Sequence, residues 1–146
     1  MKKCTTIFLA IFLGVVVLSA NGLAVAVTKL NDIRAGQHKG YTRLVLDAVG
    51  ARPLKIGPTT AKGVTIVFEQ LDIKRSSSAL LQNMIGAVAS VRHHRQADRS
   101  VIAITIKDQD TATRSFYMGG KSAKKGAYRL IFDLYPPGSA AAGPGT

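Results

Sequence analysis

The chain has 146 residues, with 20 Lys and Arg against 8 Asp and Glu, a net charge of +12 and a single cysteine. That cysteine, Cys4, lies near the start, which excludes a disulfide framework, a thiol nucleophile and a thiolate metal site from the body of the chain. The positive charge draws the protein to polyanions.

The first residues read as an export signal. Met1-Lys2-Lys3 gives a positive start, Ile7 to Leu18 is almost unbroken apolar sequence, and Ala24-Val25-Ala26 supplies the small residues a signal peptidase needs. Residues 1–26 are therefore expected to be removed. The alternative is an uncleaved anchor, since residues 7–27 just span a bilayer of about 30 Å at 1.5 Å per residue; a membrane is a partner only in that case. Cys4 precedes the apolar run, so it is not placed as a lipoprotein cysteine. Losing Lys2 and Lys3 leaves 18 basic residues against 8 acidic ones, about +10. Export places the protein in the periplasm or cell envelope, where the polyanions are wall polymers, anionic lipid head groups and lipopolysaccharide, and nucleic acid is not an expected partner. The roughly 120 remaining residues suit one domain, 27–136, burying about two-thirds of its unfolded surface.

The body alternates with the period of a β-strand. Leu44, Leu46 and Ala48 point one way and Arg43, Val45 and Asp47 the other; Val64, Ile66 and Phe68 form the next apolar face. Ser76-Ser77-Ser78 then reads as a cap, with Leu80, Leu81, Met84 and Ile85 at helical spacing before Gly86, which predicts one short helix near 77–86. Strand returns over Ala87 to Arg92, and Ile102, Ile104 and Ile106 line another apolar face. Phe116 and Met118 oppose Ser115 and Tyr117, and Leu130, Phe132 and Leu134 oppose Arg129, Ile131 and Asp133. Turn residues punctuate these runs at Gly36 to Gly40, Gly57-Pro58, Asp108 to Asp110 and Gly119 to Gly126. Short strands so punctuated predict an all-β chain, a β-sandwich or barrel. Pro136-Pro137-Gly138 stops the last strand, and residues 137–146 are expected to form a disordered tail.

One phrase is written twice. Arg43-Leu44-Val45-Leu46-Asp47 is answered 86 residues later by Arg129-Leu130-Ile131-Phe132-Asp133, too far for a solenoid repeat of about 20–50 residues. In each copy Arg and Asp share a strand face but lie roughly 13 Å apart, since a strand rises about 3.3 Å per residue. They reach neighbouring strands or an extended ligand, not each other. Cross-strand ion pairs on a solvated face are the plain reading.

The stretch LNDIRAGQHKGYTRLVLD, from Leu30, resembles the opening of the AMIN domain, the module at the N-terminus of some periplasmic N-acetylmuramoyl-L-alanine amidases and of pilus secretins. Leu30, Ile33 and Arg34 match its apolar-x-x-apolar-Arg phrase, Thr42 to Asp47 its Thr-Arg-apolar-apolar-apolar-Asp strand, and Arg129 to Leu134 its closing Arg-Leu-apolar-apolar-Asp-apolar strand. The resemblance covers most of residues 28–135, though Ile73 to His94 match nothing in the family pattern. It implies a β-sandwich of two similar sheets, each carrying one copy of the repeated strand, and a free-standing module binding peptidoglycan in the cell envelope.

Catalytic patterns are not found. His93 and His94 are adjacent and face opposite sides of a strand, His38 is remote, and Glu69 is the sole glutamate, so no metal site is expected. There is no Gly-x-Ser-x-Gly elbow. The basic loop 119–126 lacks the spacing of a phosphate-binding loop, and Asp108 and Asp110 sit where turns use Asp. The sequence therefore predicts a non-catalytic binding module without cofactor. Arg34, Tyr41, Arg43 and Asp47 around the first copy, and Tyr128, Arg129 and Asp133 around the second, are the candidate binding residues. Lys39, Lys55, Arg114, Lys121, Lys124 and Lys125 add charge nearby, and Arg92 to Arg95 form a third basic cluster. A tyrosine ring stacks on a sugar face while a neighbouring guanidinium grips carboxylates. The expected partner is peptidoglycan or another anionic wall polymer. The alternatives are an envelope protein, with the chain a subunit of a pilus or secretion machine, and an accessory role beside a cell-wall amidase.

Overall fold

A computed structural model describes residues 25–58, 63–73, 85–120 and 124–139. Within them the chain is all-β. Its strands are β1 (Val27–His38), β2 (Tyr41–Val49), β3 (Lys55–Pro58), β4 (Gly63–Phe68), β5 (Gln70–Ile73), β6 (Val88–Gln96), β7 (Arg99–Ile106), β8 (Ala112–Gly119) and β9 (Ala127–Tyr135). The helix expected near 77–86 falls outside the described residues apart from Ile85 and Gly86, which belong to the turn region before β6. The expected signal lies outside them except for Val25 and Ala26, and the expected tail except for 137–139, where Ser139 N–H closes a turn on the Pro136 carbonyl.

Two sheets form. One has the order β5-β1-β2-β9-β8, the other β3-β4-β7-β6. All pairings are antiparallel except β5 with β1. A bend at Glu69 carries the chain from β4 in one sheet directly into β5 in the other. The β1–β2 hairpin turns on Lys39 and Gly40, and Gly40 takes φ +86°, a conformation that costs glycine little. At Gly63 a Cβ would sit 2.0 Å from the Ile104 carbonyl oxygen, so only glycine lets β4 start so close to β7.

The alternation read from sequence becomes one shared core. Leu30, Ile33, Leu44, Leu46, Leu130, Phe132 and Leu134 from the five-stranded sheet join Val64, Ile66, Phe68, Val91, Ile102, Ile104 and Ile106 from the four-stranded sheet. Each such side chain contributes about 1.5–3 kcal/mol on burial, and together they fix which face of β1, β2, β4, β6, β7 and β9 looks outward.

The repeated phrase departs from expectation. Its copies are not divided between two similar sheets. They are β2 and β9, neighbours at the centre of the five-stranded sheet, and the other sheet has four strands and no copy. β8 departs too: Phe116 is opposite Ile131 on the outward side, while Tyr117 is opposite the core residue Leu130. β8 is an edge strand exposed at every residue but Phe116, so apolar character does not dictate which of its faces turns inward.

Candidate functional site

The outward face of the five-stranded sheet is laid out in rows by the strand registers. Asp32 stands opposite Asp47, then Arg129, then Met118; Arg34 opposite Val45, Ile131 and Phe116; Gly36 opposite Arg43, Asp133 and Arg114. His38 opposes Tyr41 at the end of the first hairpin. Six of the seven candidate residues, Arg34, Tyr41, Arg43, Asp47, Arg129 and Asp133, therefore share one face. The seventh does not. Tyr128 has the parity of Leu130 and Phe132, is 6% exposed, and donates its hydroxyl to the Ala51 carbonyl at 2.9 Å. Burial pushes its phenol pKa well above the usual tyrosine value.

Antiparallel pairing centred on Val45 and Ile131 sets Arg43 against Asp133 and Asp47 against Arg129. Only the first of these becomes an ion pair. Arg43 Nε and Nη2 each donate to Asp133, to Oδ1 and Oδ2, at 2.7 Å. That bidentate bond, opposed by burial, holds the Arg43 pKa above its ordinary value. At the other end Asp32 and Asp47 face each other across β1 and β2, and two opposed carboxylates call for a cation between them. Arg34 provides it, donating from Nη1 to Asp32 at 2.7 Å and to Asp47. Burial disfavours the charge on Arg34, but these two bonds outweigh it and raise its pKa. Arg129 is left to donate from Nε to the Gly119 carbonyl at 2.8 Å.

Asp47 and Asp133 both bond to arginines. They are 9% and 4% exposed and serve to orient arginines. Asp47 Oδ1 is buried without a hydrogen-bond partner, beside a hollow of about 230 Å³ that Asp32, Arg34 and Ala127 also line. Among the described residues Arg114 and Arg129 have no carboxylate partner.

An aromatic strip lies across the opposite end. His38 stacks on Tyr41 with ring centroids 4.8 Å apart and planes 8° from parallel, and Tyr41 meets Tyr135 at 5.4 Å. The Arg43 guanidinium lies 5.3 Å from the Tyr41 ring and 5.7 Å from Phe116, and Arg114 lies 5.8 Å from Phe116. His38, Phe116 and Tyr135 were not among the sequence candidates. Their signal was parity: Tyr135 follows Asp133 by two residues, and His38 follows Arg34 by four.

Other predicted basic groups lie elsewhere. Lys55 and the exposed Arg92 to Arg95 run belong to the four-stranded sheet, and Lys121 falls outside the described residues. Burial, then His94 and Arg95, lower the pKa of His93. Among the described residues no three His, Cys, Asp or Glu side chains group as a metal site requires. Compared with known protein families, curated proteins and solved structures, the chain matches none.

Proposed function

We propose that this chain is an exported, non-catalytic module of the cell envelope, a β-sandwich of the AMIN kind, that attaches to peptidoglycan through the outward face of its five-stranded sheet. The observation that carries this reading is the strip His38–Tyr41–Tyr135 set beside Arg43, Phe116 and Arg114. Partly exposed rings in line offer stacking surfaces to successive sugars. The cations beside them suit the lactyl and stem-peptide carboxylates of a wall polymer. The Asp133 and Asp47 pairs keep two arginines at fixed positions in the sheet, so less side-chain entropy is lost when a ligand arrives. The charge of about +10 left after export speeds encounter with an anionic polymer.

Purified murein sacculi provide the test. The protein should co-sediment with them, and doubling the salt should weaken the binding without abolishing it. Tyr41→Ala should lower affinity about five-fold, the equivalent of about 1 kcal/mol for one stacking ring. Protein that stays in the supernatant, or sedimentation indifferent to Tyr41→Ala, refutes the assignment.

A further inference from the structure

β8 ends the five-stranded sheet. Among the described residues nothing pairs with its outer side. Its eight residues keep an unbroken register with β9, and all but Phe116 are exposed. The other edges are blunted: β3 has four residues and ends at Pro58, β5 has four, and β6 carries a register irregularity between Val88 and Ser90 and the charged run Arg92 to Arg95. Shortness, proline, bulges and charge are the devices by which edges avoid unwanted pairing. β8 carries one charge, Arg114, and alternate residues along it turn N–H and C=O away from the sheet.

Beside this edge the two sheets part. A cavity of about 810 Å³ opens there, lined by Thr113, Ser115 and Phe132 from the five-stranded sheet and by Ile56, Val64 and Ile106 from the other. It reaches the core at Phe132, which is fully buried. On the outward side Arg114 lies over Phe116 and has no carboxylate partner among the described residues: Asp133, opposite it, is held at both oxygens by Arg43.

We propose that β8 accepts an extended segment of another protein as an added strand, one in which apolar and acidic residues alternate. Period-2 alternation turns the apolar side chains over the cavity and the acidic ones outward beside Arg114. Main-chain hydrogen bonds supply the affinity, and the two-faced pattern supplies the selectivity. The charge favours an acidic partner over a second copy, because two strongly cationic chains repel. This surface shares Arg114 with the proposed sugar-binding face, but strand addition is read from the amides of β8 and sacculus binding from Tyr41, so the failure of one is distinguishable from the failure of the other.

The probe is an eight-residue peptide of alternating valine and glutamate, titrated into the purified protein and followed by amide hydrogen exchange. In the free protein, alternate amides of 112–119 should exchange fast, and saturating peptide should slow them at least about ten-fold. A copy N-methylated at every residue, which keeps the side chains and loses every N–H, should not bind. A valine–lysine peptide should bind at least about ten-fold more weakly. Equal binding by the N-methylated copy overturns the proposal, as does protection anywhere other than β8. Slow exchange of all β8 amides in the free protein overturns it in favour of cover by the chain itself if the protein is a monomer, or by a second copy if sedimentation shows a dimer.

Discussion

The ion pair between Arg43 and Asp133 should be strongly lopsided: removing the arginine should cost more than removing the acid. The Arg43 side chain is 32% exposed and that of Asp133 only 5%. In Arg43→Met a carboxylate stays buried in the sheet without its two charge-assisted bonds, a situation that typically costs about 3–5 kcal/mol. Arg114, opposite Asp133 on β8, can swing toward it and bring the loss down to about 2–4 kcal/mol. In Asp133→Asn the guanidinium turns a partly exposed side chain into water, and the amide oxygen still accepts one bond. Solvent screening then holds that loss to about 1–2 kcal/mol. The double variant leaves no orphaned charge and should be more stable than Arg43→Met alone. The chain has no tryptophan, so urea unfolding is best followed by far-UV circular dichroism and tyrosine fluorescence. The midpoints should rank wild type, Asp133→Asn, double variant, Arg43→Met, with an unchanged slope. An Asp133→Asn loss as large as that of Arg43→Met, or a double-variant loss equal to the sum of the two, refutes the reasoning.

Three further outcomes follow from single positions. Tyr128→Phe should cost only about 0.5–1 kcal/mol, because Ala51 keeps its bond from the Thr28 hydroxyl at 2.7 Å. The raised phenol pKa makes wild type lose stability as pH climbs above about 10, where the unfolded chain ionises first, and urea midpoints of the Phe variant should lack that part of the decline. Ala97 sits at φ +56° in the two-residue loop between β6 and β7, so Ala97→Gly should raise stability by about 0.5–1 kcal/mol in a thermal melt; a less stable variant would sink this reading. His93 has a lowered pKa, so the unfolded chain takes its proton first as pH falls through about 6.5, and stability drops there. The drop is small because the ring is exposed. Between about pH 7.5 and about pH 5.5 the melting temperature of wild type should fall more than that of His93→Gln, and equal falls would remove His93 from the account.

Much of the fold was legible because alternation reports burial directly. Val64, Ile66 and Phe68, the Ile102 to Ile106 run, and Leu130, Phe132 and Leu134 all turn to the core as their spacing required. Alternation names the face of a residue and not the strand beside it. The parallel pairing of β5 with β1, four residues against the start of a long strand, has no local signature. Tyr128 was misplaced for a different reason. Its parity with Leu130 pointed inward, but its neighbour Arg129 and its amphipathic ring made it look like a surface residue. At β8 apolarity misled, since Phe116 and Met118 lie outward over Ile131 and Arg129 while Thr113 and Ser115 line the cavity.

The repeated phrase shows most clearly what pattern reading leaves open. A strand with Arg and Asp four residues apart is complementary to its own antiparallel copy, because pairing on the middle residue brings each Arg to each Asp. Two such strands are thus better neighbours than members of separate sheets, and β2 and β9 are neighbours. The symmetry of the phrase is then broken by the third strand. Asp32 on β1 stands against Asp47, Arg34 settles both carboxylates, and Arg129 is left with a backbone carbonyl. One half of the palindrome becomes a closed bidentate pair, and the other leaves Arg129 without a carboxylate. That asymmetry follows from the residues of β1 and not from the phrase itself, and among the described residues it leaves Arg129 without a carboxylate, on the strand next to the edge strand β8.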